Sequence, residues 1–167
     1  DFALSITRAL HRDHQPTLAL LERLEQGLNR FGPKTPPAHD DAAFRALLSD
    51  LKSVLEAEIK GHYAFEEAHL FPLFAAEIDP GISEMLAAEH EIIRPLAAAL
   101  VESAGQALAD GFDQATWAKF FADGQELVER EVFHIQKETM GFLPALEQII
   151  DENDDAALTM AYAESGA

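Results

Sequence analysis

The sequence contains no cysteine among its 167 residues. Within this chain, disulfide bonds, thiolate zinc sites and cysteine-bound iron–sulfur clusters are therefore excluded. Any metal ion that the chain binds must be held by histidine, carboxylate or tyrosine side chains, which suit several divalent metals. The seven histidines and 30 acidic residues make such a site chemically feasible.

Basic residues are few, because 12 lysines and arginines stand against 30 aspartates and glutamates and give a formal net charge of -18. So acidic a surface repels phosphate backbones and anionic membranes, and we expect neither nucleic acid nor membrane as a partner. The chain also lacks the apolar run of about 20 residues that a membrane span needs. Its N-terminus shows no signal-peptide pattern, so we expect a cytoplasmic protein.

Alternating apolar and polar runs, which are typical of strands, are missing as well. Helix formers fill most segments, and apolar residues recur at helical spacing between breaks rich in proline and glycine. The predicted helices run from about Phe2 to Arg30, from Asp40 or Asp41 to Ile78, from a cap at Ser83 to Gly105, and from Asp113 to Ile150. Long helices with short connections predict one all-α domain over residues 1–150, an antiparallel up-down four-helix bundle. Residues 151–167 form either an acidic, alanine-rich tail or a short extra helix.

The pattern His-x-x-x-Glu, with a proline six residues after the glutamate, occurs twice in the chain. In a helix, residues four apart lie on one face, so each histidine and its glutamate can reach a common point. One copy alone is a weak signal, but two copies with matched apolar flanks are a strong one. The copies are His62 and Glu66 with Pro72, and His134 and Glu138 with Pro144.

Two single histidines extend this repeat. The segment Leu10–His14 in the first predicted helix resembles Leu86–His90 in the third. The first two helices thus match the last two, and each pair supplies one histidine and then one His-x-x-x-Glu. In an antiparallel bundle with ~1.5 Å rise per residue, these positions are compatible with a single layer.

The doubled set has the composition of a dinuclear metal site. If each glutamate bridges two ions, each ion receives two histidine nitrogens and two carboxylate oxygens, and an oxo or hydroxo bridge adds a fifth ligand. One position on each ion then stays open for a small molecule. Imidazole and carboxylate suit iron, with manganese or zinc as substitutes. The predicted ligands are His14, His62, Glu66, His90, His134 and Glu138.

This pattern resembles that of the hemerythrin-like family, whose members carry an HHE cation-binding domain, and the resemblance covers about residues 5–147. It implies a four-helix bundle around a non-haem di-iron centre, with the six residues as ligands of two iron ions per chain. Oxygen-carrying hemerythrins have a further histidine where this chain has Arg94. Their last carboxylate is an aspartate five residues after its histidine, whereas here Glu138 is four residues after His134. The ligand set looks more like the di-iron domain of bacterial repair-of-iron-centres proteins.

The resemblance implies a protein that binds or reacts with O2, nitric oxide or peroxide, in sensing, iron handling or stress defence. The alternatives are an enzyme that decomposes peroxide or reduces nitric oxide, and a donor of iron for the repair of iron centres. A small diatomic molecule or a peroxide is the expected ligand. A redox partner and a homo-oligomer both stay open.

Four other residues lie close to the predicted ligands in the sequence. Tyr63 is either a phenolate ligand or a packed residue with its hydroxyl at the rim of the site. His11, one turn before His14, is a further ligand, a contact of a ligand, or neither. Glu67 is a solvated carboxylate or a contact of a ligand. Arg94 contacts a bridging glutamate, a bound anion or a surface carboxylate.

Overall fold

The computed structural model describes residues 1–165, and within that range its regular structure is helical, without a strand, as the sequence predicts. The α-helices are α1 Ser5–Phe31, α2 Ala42–Ala57, α3 Phe71–Glu77, α4 Pro80–Asp110, α5 Gln114–Lys137, α6 Leu143–Ile149 and α7 Glu152–Glu164. The π-helical segments are π1 Glu58–Tyr63, π2 Glu66–Leu70 and π3 Glu138–Phe142. None of the helices described has the length and apolar character needed to cross a membrane.

Side-chain caps define where two of the long helices begin. The carboxylate of Asp41 accepts the backbone N–H of Phe44 at 2.9 Å, just before α2. Asp113 accepts the backbone N–H of Thr116 at 2.8 Å, just before α5. Such caps satisfy N–H groups that the first helical turn leaves unpaired.

The predicted cap at Ser83 is wrong. Helix α4 begins at Pro80, and the Ser83 hydroxyl donates to the Pro80 carbonyl at 3.1 Å. Proline fits the first helical turn because its φ is already helical and its missing N–H would be unpaired there. The helix therefore starts one turn earlier than the serine indicates.

The prolines of the repeated motif, Pro72 and Pro144, each stand at the second position of an α-helix that follows a π-helical segment. The backbone N–H five residues after each motif glutamate bonds to that glutamate's carbonyl, from Phe71 to Glu66 and from Leu143 to Glu138. A proline lacks an N–H and its ring clashes with the carbonyl four residues earlier, so the preceding turn widens. The two motif glutamates therefore begin widened turns.

Contacts between Cα atoms divide the chain into two compact units. The first comprises Asp1–Gln15, Ala57–Ile92 and the chain from Phe133 onward. Its apolar core consists of aliphatic and aromatic side chains from α1, π2, α3, α4, π3, α6 and α7. Its largest fully buried members are Phe74, Phe142, Ile6 and Leu10.

The second unit comprises Pro16–Glu56 and Ile93–Val132. Its core combines leucines of α1 and α2 with an aromatic cluster in which Trp117 contacts Phe44 and Phe120. The indole N–H of Trp117 donates at 2.8 Å to the carbonyl of Gly32. Gly32 has a φ of +79°, the left-handed conformation with which helices such as α1 commonly end.

The segment after Ile150 forms helix α7, capped by Asp151. The carboxylate of Asp155 accepts the backbone N–H groups of Ser5 and Ile6 at 2.9 and 2.8 Å. An acidic group at this position satisfies the exposed donors of the α1 N-terminus and complements its dipole. Helix α7 is thereby tied to the beginning of α1, and its Tyr162 is buried in the core of the first unit.

Candidate metal centre

The six predicted ligand residues all belong to the first unit, and the structure brings them together. Helices α1, α4 and α5 each supply one histidine, and the three π-helical segments supply the remaining histidine and the two glutamates. Each of the six residues is at most 2% exposed to solvent. They are His14, His62, Glu66, His90, His134 and Glu138.

The four imidazoles form two pairs. The Nε2 atoms of His90 and His134 are 3.2 Å apart. The ring centroids of His14 and His62 are 4.9 Å apart. The two nitrogens of a pair can therefore approach one ion together.

Glu138 reaches both pairs with different oxygens. Its Oε1 lies 2.9 Å from Nε2 of His134, and its Oε2 lies 3.0 Å from Nε2 of His14. The same Oε2 lies 3.6 Å from Nε2 of His62. Glu138 is therefore placed between the two histidine pairs.

Glu66 also places one carboxylate oxygen near each histidine pair, but at longer distances. Its Oε1 lies 3.4 Å from Nε2 of His90, and its Oε2 lies 3.5 Å from Nε2 of His62. Both oxygens, and Nε2 of His62, are buried without a hydrogen-bond partner among residues 1–165. Leaving such groups unsatisfied costs about 1–3 kcal/mol each, so atoms of this kind need a partner that the protein does not supply.

A metal ion fits these atoms. The ligand atoms of Glu66, His90, His134 and Glu138 lie within 4.8 Å of one another. Those of His14, His62 and Glu138 also do. Imidazole nitrogen and carboxylate oxygen are ligands of iron, manganese and zinc, so the two overlapping groups can each hold an ion of this class.

In the first pair, His90 and His134, the Nδ1 atoms are the outer nitrogens, on the side of each ring away from the other histidine. Both contact carboxylates directly. Nδ1 of His90 lies 2.7 Å from Oε2 of Glu67, and Nδ1 of His134 lies 2.8 Å from Oε1 of Glu89. The bonds from His134 and Lys137 outweigh the effect of burial and lower the pKa of Glu89. A carboxylate at Nδ1 fixes the tautomer and the plane of the ring, so that Nε2 is the nitrogen that can bind a metal ion.

His62 has a different outer contact. Its Nδ1 lies 3.1 Å from the hydroxyl of Tyr162, which donates in turn to Oδ2 of Asp13 at 2.7 Å. Burial and the adjacent Asp13 raise the pKa of the Tyr162 hydroxyl, which therefore stays protonated at ordinary pH. Tyr162 thus connects an imidazole of the centre to a carboxylate on α1.

Two residues of the centre have pKa values that their neighbours shift in opposite directions. Burial alone would lower the pKa of His62, but the carboxylates of Glu66 and Glu58 and the contact with Glu138 raise it well above its usual value. Burial alone would raise the pKa of Glu138, but contacts with His134, His14 and His62 hold it well below its usual value. The carboxylate is therefore ionised and ready to bind a cation.

The four other residues that the sequence places near the predicted ligands have different surroundings in the structure. Glu67 contacts His90, as one of its two interpretations predicts. Tyr63 is fully buried and packed in the interior. His11 packs edge-on against Phe2, with ring centroids 5.3 Å apart. Arg94 is half-buried and belongs to the second unit.

Sequence reasoning did not single out Glu89, Asp13 or Tyr162 as part of the site. A signal for the first two was present, because each directly precedes a single histidine of the repeat, in Asp13-His14 and Glu89-His90. Tyr162 carried no such signal, since it stands about 100 residues from its partner His62 and lies on the segment predicted to be a tail or a short helix.

The family model of the hemerythrin HHE cation binding domain matches residues 5–146, which is most of the chain and includes all six converging residues. No curated protein matches the sequence. Together with the buried histidine and glutamate cluster, this match shows that the chain belongs to the hemerythrin HHE cation-binding domain family.

Proposed function

We propose that this chain is a non-haem di-iron protein that binds or reacts with O2, nitric oxide or peroxide. The observation that carries the proposal is the position of the two glutamates, because the two carboxylate oxygens of each one face different histidine pairs. Glu138 spans 2.9 and 3.0 Å to His134 and His14, and Glu66 spans 3.4 and 3.5 Å to His90 and His62. Carboxylates placed in this way can bridge two ions.

Iron is the metal that we assign to the centre. The donor set is four imidazoles and two carboxylates, without a thiolate, which suits iron and admits manganese or zinc as substitutes. Two bound irons would supply Lewis acidity and one-electron redox chemistry at the centre. The predicted oxo or hydroxo bridge would leave one open position on each ion.

The chain itself holds the ligands and excludes bulk water. Burial of all six residues places the centre in a medium of low dielectric constant, where its charges interact strongly. Glu67 and Glu89 orient the imidazoles of His90 and His134. These residues favour a stable centre into which only small molecules pass.

The antiparallel up-down arrangement of four helices is part of the proposal. Its support is the order of the ligand repeat along the chain, one histidine and then His-x-x-x-Glu, twice. In an antiparallel bundle with ~1.5 Å rise per residue, this order is compatible with ligands from four helices in one layer.

Optical spectroscopy tests the proposal. Iron-loaded, reduced protein is mixed separately with O2, nitric oxide and hydrogen peroxide, and the expected result is a spectral change with at least one of them. The metal-free protein is the control. An iron-loaded centre that responds to none of the three would contradict the proposal.

Sensing, iron handling and stress defence all begin with such binding. Measuring catalytic turnover distinguishes these roles from that of an enzyme. Sustained peroxide loss or nitric oxide reduction over many cycles per chain would assign an enzyme. Transfer of iron to an apo acceptor protein would assign an iron donor. A stoichiometric response alone supports a binding protein.

A further inference from the structure

The two histidine pairs differ in their outer contacts. In the first pair, both Nδ1 atoms contact carboxylates, Glu67 at 2.7 Å from His90 and Glu89 at 2.8 Å from His134. Both imidazoles of this pair therefore have a direct anionic partner.

The second pair has no such direct support in the part of the chain described. His62 reaches the carboxylate of Asp13 only through the hydroxyl of Tyr162. Nδ1 of His14 is buried and has no hydrogen-bond partner within residues 1–165. One imidazole is thus supported through an uncharged group and the other is unsupported.

The repeat explains this difference. Glu67 directly follows Glu66, whose Oε1 faces His90 at 3.4 Å. In the second copy, the residue that directly follows Glu138 is Thr139, and Oε2 of Glu138 faces His14 at 3.0 Å. Thr139 therefore stands in the repeat where Glu67 stands, and its short, neutral side chain leaves Nδ1 of His14 without a carboxylate.

An outer carboxylate strengthens a histidine ligand in two ways. It fixes the tautomer and the ring plane before the metal arrives, and it makes Nε2 more basic. Removing such a partner typically weakens metal binding by about 10–100-fold. Two positions that differ in this respect should therefore differ in affinity.

We propose that the two metal positions of this centre are unequal. The position served by His90 and His134 binds its ion tightly, and the position served by His14 and His62 binds more weakly and exchanges first. Thr139 is the residue that sets the difference. This inference rests on the proposed function, since it requires two ions.

Solvent access agrees with this order of exchange. An open cavity of about 930 Å³ is lined by His11 and Thr139, among other residues. His11 lies one turn before His14, and Thr139 is next to Glu138. Water and small solutes therefore come close to the position that we assign as the weaker one.

Zinc provides a test that is independent of redox activity. Zinc-loaded protein is titrated with a coloured chelator, and the two dissociation constants are obtained from the release curve. The unaltered protein should release its ions in two steps, with constants that differ by about 10–100-fold. Thr139→Glu should tighten the weaker step about tenfold and leave the tighter step unchanged.

Two further variants show which metal position each zinc-release step belongs to. Thr139→Gln has the length of the glutamate without its charge and should recover less of the affinity. Glu67→Gln should weaken the tighter step and leave the weaker one unchanged. It tests the assignment independently if Thr139→Glu fails the check of folding by circular dichroism.

The outcomes separate the two proposals. Two ions released with one common constant, or a Glu67→Gln variant that weakens the looser step, would overturn the inference while leaving a dinuclear centre intact. A protein that holds fewer than two zinc ions under saturating conditions would instead contradict the proposed function.

Discussion

The ring of Tyr63 lies parallel to the imidazole of His90, with centroids 3.7 Å apart and planes 4° apart. Both residues are fully buried. Two contacts therefore hold the imidazole of His90 in place, the stacked ring of Tyr63 on its face and the carboxylate of Glu67 at its Nδ1. A centroid separation this short between nearly parallel planes leaves little room for an offset, so the two rings are stacked almost face to face.

Tyr63→Phe should leave the visible spectrum of the iron-loaded protein nearly unchanged. The variant keeps the stacked ring and removes only the hydroxyl, which we assign as a non-ligand. Tyr63→Leu removes the stack as well and should lower metal retention. Loss of a visible band in Tyr63→Phe would show instead that the phenolate binds iron.

Tyr162→Phe should weaken metal binding about tenfold without unfolding the protein. The phenyl ring can keep its place in the core, but Nδ1 of His62 loses its link to Asp13. Chelator competition measures the affinity, and thermal unfolding checks the fold. An unchanged affinity would mean that the contact with Tyr162 does not support His62.

Glu66→Gln should lower the bound metal below two ions per chain while the helices persist. An amide is a much poorer bridging ligand than a carboxylate, and both oxygens of Glu66 are buried without a partner among residues 1–165. Glu77→Gln, an exposed change on the neighbouring helix α3, is the matched control. Metal analysis and circular dichroism are the measurements. Full retention of both ions would refute the bridging role.

Asp155→Asn should destabilise the protein by about 1 kcal/mol, because the backbone N–H groups of Ser5 and Ile6 bond to different oxygens of Asp155 and an amide has only one oxygen to accept them. Asp154→Asn, an exposed change one residue earlier, is the control and should be close to neutral. Denaturant unfolding measures both. Equal stability of the two variants would mean that the docking of α7 on α1 contributes little.

The candidate ligands could be named from the sequence because their pattern is local. A histidine and a glutamate four residues apart on a helix share one face, and this pair occurs twice with matched apolar flanks. The helical fold followed from composition and periodicity in the same way.

The outer contacts could not be found by the same reasoning. The partners of His134 and His62 lie about 45 and 100 residues away in the chain, at Glu89 and Tyr162. No periodicity connects such positions. The π-helical turns at Glu66 and Glu138 were missed for another reason, since a proline predicts a local distortion but not which carbonyl the widened turn will use.

Metal analysis tests the central claim most directly. The protein is loaded with ferrous iron under anaerobic conditions, freed of unbound metal, and assayed for iron and for protein. The account predicts about two iron ions per chain. A fully loaded preparation that retains a single ion per chain would contradict the dinuclear centre.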